Sequence, residues 1–159
     1  MPSGGGKTKE RRLTFSLYLS TLAVVFFDQV SKAWALAYLA PAGASGRPLL
    51  PGILHLTFVR NTGMAFGLLQ HRAFILTAVV FVCVLLLLVL SLKLRTSGRF
   101  YQLAFGLVMG GALSNLIDRL RLGYVVDFID FRIWPVFNLA DTCITIGITI
   151  LLWFSFSEP

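Results

Sequence analysis

Charged residues are scarce in this sequence. Only 13% of its 159 residues are Asp, Glu, Lys or Arg, whereas 57% are hydrophobic. A soluble domain usually carries about 25% charged residues, because its surface faces water. The composition therefore excludes an ordinary soluble domain and predicts a membrane protein.

Cysteine and histidine are also rare, with two of each. Cys83 and Cys143 lie within apolar stretches, and neither has a second cysteine or a histidine at the spacing of metal ligands. His55 and His71 are isolated. The sequence therefore predicts buried structural thiols, no metal site and no cofactor.

The sequence is instead rich in long apolar runs. A bilayer core about 30 Å thick needs roughly 20 apolar residues per helix. Four runs qualify, at about 13–39, 74–92, 101–117 and 138–154. The first has a basic front but no small-residue cleavage site, so we interpret it as a retained helix rather than a signal peptide. We expect residues 1–159 to form a single integral membrane domain, because four helices and the segments that connect them leave no room for another. No internal repeat is present.

We interpret the net charge of +7 as a signal for the orientation of the chain in the membrane rather than for nucleic-acid binding. Four positive residues lie in the polar tail 1–12 and three between the second and third helices, while the other seven are spread over longer segments. The two sets contain equal numbers of positive residues, so only the density of positive charge along the chain marks a cytoplasmic side. We therefore expect both termini in the cytoplasm and the segments at about 40–72 and 118–137 outside.

The first outer segment begins in a loop-like stretch and continues as "ILHLTFVRN". There Leu54, Leu56 and Phe58 alternate with more polar positions, which predicts an amphipathic strand. Its apolar face rests either on the membrane surface or on the helix bundle.

The third helix carries Gly106, Gly110 and Ser114 at four-residue spacing. Such a row of small residues lets a second helix approach closely. Beside it, Asn115 is an amide inside an apolar helix and needs a polar partner. Arg119, one turn further, either reaches toward the lipid head groups or faces a substrate.

Three of the seven acidic residues lie between Gly123 and Thr142. If Gly123–Trp134 is extended, Asp127 shares a face with apolar side chains, whereas Asp130 lies opposite with Arg132 in an exposed ion pair. A carboxylate in apolar surroundings is costly unless it has a partner or a function.

Asp141 follows Asn138 by three residues at the start of the fourth helix, an arrangement typical of a capping box. Capping alone is one interpretation. The other is functional, because Thr145 and Thr149 continue a polar stripe that we expect to point into the bundle. Two carboxylates at one site share a proton and can activate water against a peptide carbonyl. The spacing of Asp127 and Asp141 permits such contact but does not require it.

Five motifs occur in order: "DQVSK" (28–32), "RNTGMAFGLL" (60–69), "GGALSNLIDRL" (110–120), "VVDFIDF" (125–131) and "FNLADTCI" (137–144). Together they closely resemble the bacterial lipoprotein signal peptidases, or signal peptidase II, from Thr14 to Phe154. The resemblance implies an all-α membrane protein, with four transmembrane helices and a small extracytoplasmic β-rich cradle. It also implies an inner-membrane aspartic endopeptidase that cleaves prolipoproteins before a diacylglyceryl-modified cysteine.

By motif, the resemblance makes Asp127 and Asp141 the catalytic pair. It implies substrate-contacting or pair-supporting roles for five further residues: Asn61, Asn115, Arg119, Asn138 and Asp28. Met64 and Ser114 depart from the family pattern, where alanine and glycine are expected. The expected partners are prolipoprotein substrates and membrane lipids, with no nucleic acid, and the expected state is a monomer.

Two other functions fit parts of the sequence. A proton-coupled carrier also needs intramembrane acids, but carriers usually place them near the midplane between repeats. A non-catalytic membrane scaffold explains the small-residue helix but leaves Asp127 and Asp141 without a function.

Overall fold

The computed structural model describes residues 5–42, 46–63, 73–93 and 98–157. The described elements are α1 (Gly5–Tyr38), a 3₁₀ turn (Ala40–Ala42), β1 (Arg47–Leu50), β2 (Leu54–Asn61), α2 (Ala73–Lys93), α3 (Arg99–Leu122), β3 (Val125–Asp130) and α4 (Leu139–Ser157). The four predicted helices are therefore present. Two residues discussed above lie outside the described residues: Met64, which departs from the expected alanine, and the isolated His71.

Two helices are longer than the apolar runs indicated. α1 begins at Gly5, so the described part of the predicted polar tail is helical. α3 continues to Leu122 and ends at Gly123, whose φ of 79° is left-handed and whose N–H bonds to Arg119 O. Glycine adopts this conformation without a Cβ clash, so it stops the helix here rather than at the end of the apolar run.

Three of the described helices are long and apolar enough to cross a membrane. The spans are Phe74–Ser91 in α2, Arg99–Leu122 in α3 and Leu139–Phe156 in α4. The chain is therefore a membrane protein by length and composition. α1 is not among these spans, so the prediction of a fourth membrane crossing stays a prediction.

α3 packs between α1 and α4 through its small residues. A Cβ on Gly110 would lie 2.8 Å from Thr21 O in α1, and a Cβ on Gly111 would lie 2.5 Å from Ala140 O in α4. Neither approach leaves room for a side chain. The predicted close approach along the small-residue row is confirmed, because the backbones meet where a larger residue would force them apart.

The strands form an antiparallel sheet in the order β1-β2-β3. Leu56 and Phe58 of β2 pack against a buried cluster that includes Ala35 of α1 and Leu39, the residue that follows α1. Of the two alternatives for the apolar face of this strand, contact with the helix bundle is therefore the observed one. β1 was not predicted, since its short sequence "RPLL" follows a loop-like stretch.

β3 covers only the first part of the stretch predicted to be extended. It ends at Asp130, and the chain then turns at Arg132, which has a left-handed φ of 65°. The expectation of an extended chain as far as Trp134 was wrong, because the turn breaks the strand. The sheet as a whole confirms the small β-rich part of the predicted fold.

Candidate active site

Asn138 lies between two carboxylates. Its side-chain Nδ2 donates to Asp127 Oδ1 at 2.6 Å, and its backbone N–H donates to Asp141 Oδ2 at 3.3 Å. Asn138 Oδ1 in turn accepts the Asp141 backbone N–H at 2.9 Å. The predicted capping box is therefore present, and its asparagine also brings Asp127 beside Asp141. The sequence spacing of Asp127 and Asp141 permitted contact without requiring it, and the structure joins the two residues through Asn138.

Asp127 is buried on β3, with only 1% of its surface exposed. Asn61 Nδ2 donates to its second oxygen at 2.8 Å. Burial and, after it, the charge of Asp141 raise the pKa of Asp127 from 3.8 to about 7, against the opposing effect of the hydrogen bonds from Asn61 and Asn138. A group with this pKa exchanges a proton near neutral pH, as a general acid or base requires.

Asn115 has polar partners, as predicted for an amide within an apolar helix. Its Nδ2 donates to Asp141 Oδ1 at 2.8 Å. Its Oδ1 accepts from Lys32 Nζ at 2.8 Å and from Asn138 Nδ2 at 3.2 Å. The amide thus orients Asp141 and is itself oriented from two sides.

Lys32 is a buried cation that sequence reasoning did not single out. It is 2% exposed, and its Nζ lies 2.7 Å from Asp28 Oδ2 and 2.9 Å from Asp118 Oδ2. The spacing of Asp28 and Lys32, four residues apart in a helix, was a signal that the two meet. Nothing local indicated Asp118, because it comes from a different helix.

Asp28 joins three helices. Its Oδ1 accepts the backbone N–H of Ala140 in the first turn of α4 at 2.7 Å, and its Oδ2 accepts from the Ser114 hydroxyl at 2.7 Å. Ser114 itself accepts from Gln29 Nε2 at 3.0 Å. The serine in place of the expected glycine thus adds a donor to Asp28 without disturbing the close approach of α1.

Arg119 is half-buried and lies on the same side of α3 as Asn115. Its Nη1 donates to the Asn115 backbone O at 3.3 Å. The charges of Asp141 and Asp127 both act on its guanidinium group. The structure therefore brings Arg119 to the site, while contact with a substrate stays a prediction.

Asp130 is buried, with 5% of its surface exposed, so the prediction of an exposed ion pair was wrong. The predicted partner is right: Arg132 Nε lies 3.5 Å from Asp130 Oδ2. The Thr57 hydroxyl and the Arg132 backbone N–H also donate to the carboxylate, each at 2.8 Å. Burial favours a higher pKa for Asp130, but these hydrogen bonds and the Arg132 charge lower it overall. The neighbouring strand covers the carboxylate, and strand alternation alone does not reveal that cover.

A cavity of about 360 Å³ opens beside Asp141. Its lining is mostly apolar and consists of Phe131, Trp134, Phe137, Asp141, Thr142, Thr145 and Ile146. The expectation that Thr145 and Thr149 point into the bundle was wrong. Both are exposed, and their hydroxyls donate to the carbonyls of Asp141 and Thr145 within α4.

Cys143 is half-buried and Cys83 is exposed, so the prediction of two buried thiols is wrong for Cys83. Within the described ranges, no three His, Cys, Asp or Glu side chains are grouped so that they could hold a metal ion. The side chains that the hydrogen bonds bring together at the candidate site include two carboxylates, three asparagine amides and one arginine.

The sequence profile described as Signal peptidase (SPase) II matches residues 20–157. The chain belongs to the signal peptidase II family. The resemblance predicted from the five motifs is confirmed, and the family is one of peptidases.

Relatives and solved structures agree with this assignment. The lipoprotein signal peptidase of Halothermothrix orenii is 41% identical over 142 residues, which cover 89% of this chain and 96% of that protein. The lipoprotein signal peptidase of Pelotomaculum thermopropionicum is 45% identical over 137 residues, or 86% and 89% of the two chains. A bacterial membrane enzyme solved by the in meso method at 2.3 Å resolution superimposes with a TM-score of 0.80, at 32% identity over 89% of this chain and 88% of that one.

Proposed function

We propose that this signal peptidase II is an intramembrane aspartic endopeptidase that removes signal peptides from prolipoproteins. It cleaves the peptide bond before a diacylglyceryl-modified cysteine and uses no cofactor. The observation that carries the proposal is the bridge from Asn138 to both Asp127 and Asp141. It gives two carboxylates one shared donor residue, and one of the two, Asp127, is buried.

The reaction divides the work between the two carboxylates. The ionised one takes a proton from water as the water oxygen attacks the peptide carbonyl carbon. The protonated one donates a hydrogen bond to the carbonyl oxygen, which carries negative charge in the tetrahedral intermediate. The carbon–nitrogen bond then breaks, and a proton passes from the pair to the leaving amine. We assign the resting proton to Asp127, whose pKa is raised to about 7. Asp141 is then the ionised carboxylate of the pair, and the positive end of the α4 dipole lies at its side chain.

Three amides and one cation orient the reacting groups. Asn61 and Asn138 each hydrogen-bond one oxygen of Asp127, and Asn115 hydrogen-bonds Asp141. Each bond restricts the rotation of a carboxylate and so keeps it directed at the scissile bond. Arg119 then stabilises negative charge on the substrate carbonyl or binds the substrate backbone.

The apolar cavity beside Asp141 accommodates the lipidated part of the substrate. Acyl chains reach it from within the bilayer, because its aromatic and aliphatic lining is compatible with lipid. The proposed orientation is multi-pass in the bacterial inner membrane, with α1 as the fourth crossing and both termini in the cytoplasm. The site then lies at the extracytoplasmic boundary of a monomer, where lipidated substrates are.

The test is release of the signal peptide by the purified protein in detergent. We expect it to cleave a lipidated prolipoprotein and to leave the unlipidated form intact. Asp127→Asn and Asp141→Asn should each lower the rate by at least about 10²–10⁴-fold, the usual contribution of general acid–base catalysis. EDTA should leave cleavage intact, because the proposed steps use only carboxylates and water. Inactivation by EDTA with recovery on adding zinc would overturn the reaction class, and activity in Asp127→Asn would overturn the assignment of the pair.

A further inference from the structure

Asp130 is a buried carboxylate that the proposed reaction does not use. It lies on β3 beyond Asp127, and β3 is paired with β2 at His55 opposite Asp130. Burying a carboxylate is costly unless its charge is compensated, so its partners indicate what it stabilises. Those partners are the Thr57 hydroxyl and, from both backbone and side chain, Arg132.

Arg132 is the described non-glycine residue with a positive φ, at 65°. This left-handed conformation is strained for a residue with a Cβ. Asp130 Oδ1 accepts the Arg132 N–H two residues on, at 2.8 Å, which is the hydrogen bond of an Asx turn. The Arg132 Nε lies 3.5 Å from Asp130 Oδ2. Asp130 therefore stabilises the strained residue at its backbone and at its side chain.

The turn begins a loop, residues 131–136, whose far end is bound back to the same strand. The Phe137 N–H donates to Ile129 O at 3.1 Å, and the Ile129 N–H donates to Phe137 O at 2.8 Å. The rings of Phe131 and Phe137 stack with their centroids 5.8 Å apart. The loop is thus closed at both ends, and Asp130 fixes the end where the chain changes direction.

The aromatic side chains in and after this loop form one wall of the cavity beside Asp141. Phe131, Trp134 and Phe137 line it, and α4 supplies the rest of the lining. A change in the turn at Arg132 would move Phe131 directly and Trp134 with the loop. The distance between this wall and α4 therefore depends on the bonds that Asp130 makes.

We propose that Asp130 is a positioning residue for the substrate, because it holds the aromatic wall of the cavity beside Asp141 through the left-handed turn at Arg132. This inference rests on the proposed peptidase function and adds to it a residue outside the catalytic pair. Asp130 acts as a hydrogen-bond acceptor, not as an acid or base. Its loss should therefore weaken substrate binding more than it slows the chemical steps.

The first test compares Asp130→Ala with Asp130→Asn, measuring kcat and KM on a lipidated prolipoprotein. Alanine removes the acceptor, and KM should rise about tenfold with kcat within about threefold of the wild type, as expected for loss of a hydrogen bond to a charged group. Asparagine keeps an acceptor for the Arg132 N–H and favours the same turn, so KM should stay within about threefold. An Asp130→Asn variant as impaired as Asp130→Ala, or a loss confined to kcat, would overturn the proposal.

The second test removes the need for Asp130 at the turn. Glycine adopts a positive φ freely, so Asp130→Ala/Arg132→Gly should recover most of the KM lost in Asp130→Ala. Thr57→Val, which leaves the carboxylate in place but removes one of its donors, should raise KM about threefold. Thr149→Val is the matched control, because its exposed hydroxyl donates only within α4 to Thr145 O among the bonds described. Absence of recovery in the double variant would contradict the role of the turn.

Hydrogen exchange of the backbone amides of residues 131–134 and 136 tests the turn without any assay of cleavage. Exchange should be faster in Asp130→Ala and Thr57→Val than in the wild type and Asp130→Asn. Unchanged exchange in Asp130→Ala would overturn the inference even if the enzyme is active. A wild-type protein that releases no signal peptide would instead overturn the proposed function, so the two failures are distinguishable.

Discussion

Lys32 donates a 2.8 Å hydrogen bond from its ammonium group to the side-chain oxygen of Asn115. The same amide donates to Asp141, so a buried cation on α1 orients an acid on α4 through a residue of α3. The charge of Lys32 is balanced by Asp28 and Asp118 at 2.7 and 2.9 Å. This network joins α1, α3 and α4 next to the candidate active site and fixes the orientation of Asp141.

Replacing Lys32 should therefore damage both stability and activity. Lys32→Met leaves two buried carboxylates without their cation, and breaking a buried ion pair typically costs about 3–5 kcal/mol of the free energy of unfolding. Chemical unfolding in detergent measures the loss, and signal-peptide release should fall with it. The double variant Lys32→Met/Asp118→Asn should regain part of the stability, since it removes one uncompensated charge. Wild-type stability in the single variant would mean that the network contributes little.

The raised pKa of Asp127 predicts a dependence on pH. Between pH 3.8 and about 7, Asp127 keeps its proton in the folded protein and releases it in the unfolded chain. The stabilisation of the folded protein by this proton is therefore greatest below pH 3.8 and is lost as pH rises through about 7. If the proton on Asp127 is needed for catalysis, kcat/KM should also fall as pH rises through about 7. A pH–rate profile measures this fall, and the stability of Asp127→Asn should lack the corresponding change. A profile that stays flat through neutral pH would contradict the assignment of the resting proton.

Arg119→Lys tests whether the guanidinium group acts on the substrate. Lysine keeps the positive charge but lacks the planar set of donors, so the variant should insert and fold normally and cleave at least about tenfold more slowly. Unfolding in detergent and kcat/KM are the two measurements. Full activity in Arg119→Lys would indicate that Arg119 only anchors α3 at the head groups.

The proposed orientation predicts which loops are open to each side of the membrane. In a variant without Cys83 and Cys143, Ser45→Cys should react with an impermeant thiol reagent from outside the cell. Ser97→Cys should react only when the cytoplasmic side is exposed, because the dense positive charge lies there. The reverse labelling would place the carboxylate pair in the wrong compartment for lipidated substrates.

Local patterns in the sequence were sufficient for the helices and for part of the site. The apolar runs predict four helices because bilayer thickness sets the length of such a run. The row from Gly106 to Ser114 predicts close packing, since the spacing of small residues is itself the contact surface. The capping box of Asn138 and Asp141 is likewise contained within three residues of one helix end.

Contacts between distant segments were decided only by the tertiary structure. Lys32 and Asn115 are 83 residues apart, and Asp28 and Ala140 are 112 apart, so no periodicity indicates that they meet. Strand alternation assigned Asp127 to apolar surroundings and Asp130 to the surface, whereas both carboxylates are buried, with 1% and 5% of their surfaces exposed. Alternation reports the two faces of a strand and not what covers each face. The sequence by itself determined which segments are helical and which acids are candidates, because these depend on neighbouring residues. The partners that hold those acids were decided by how the helices and the sheet pack together.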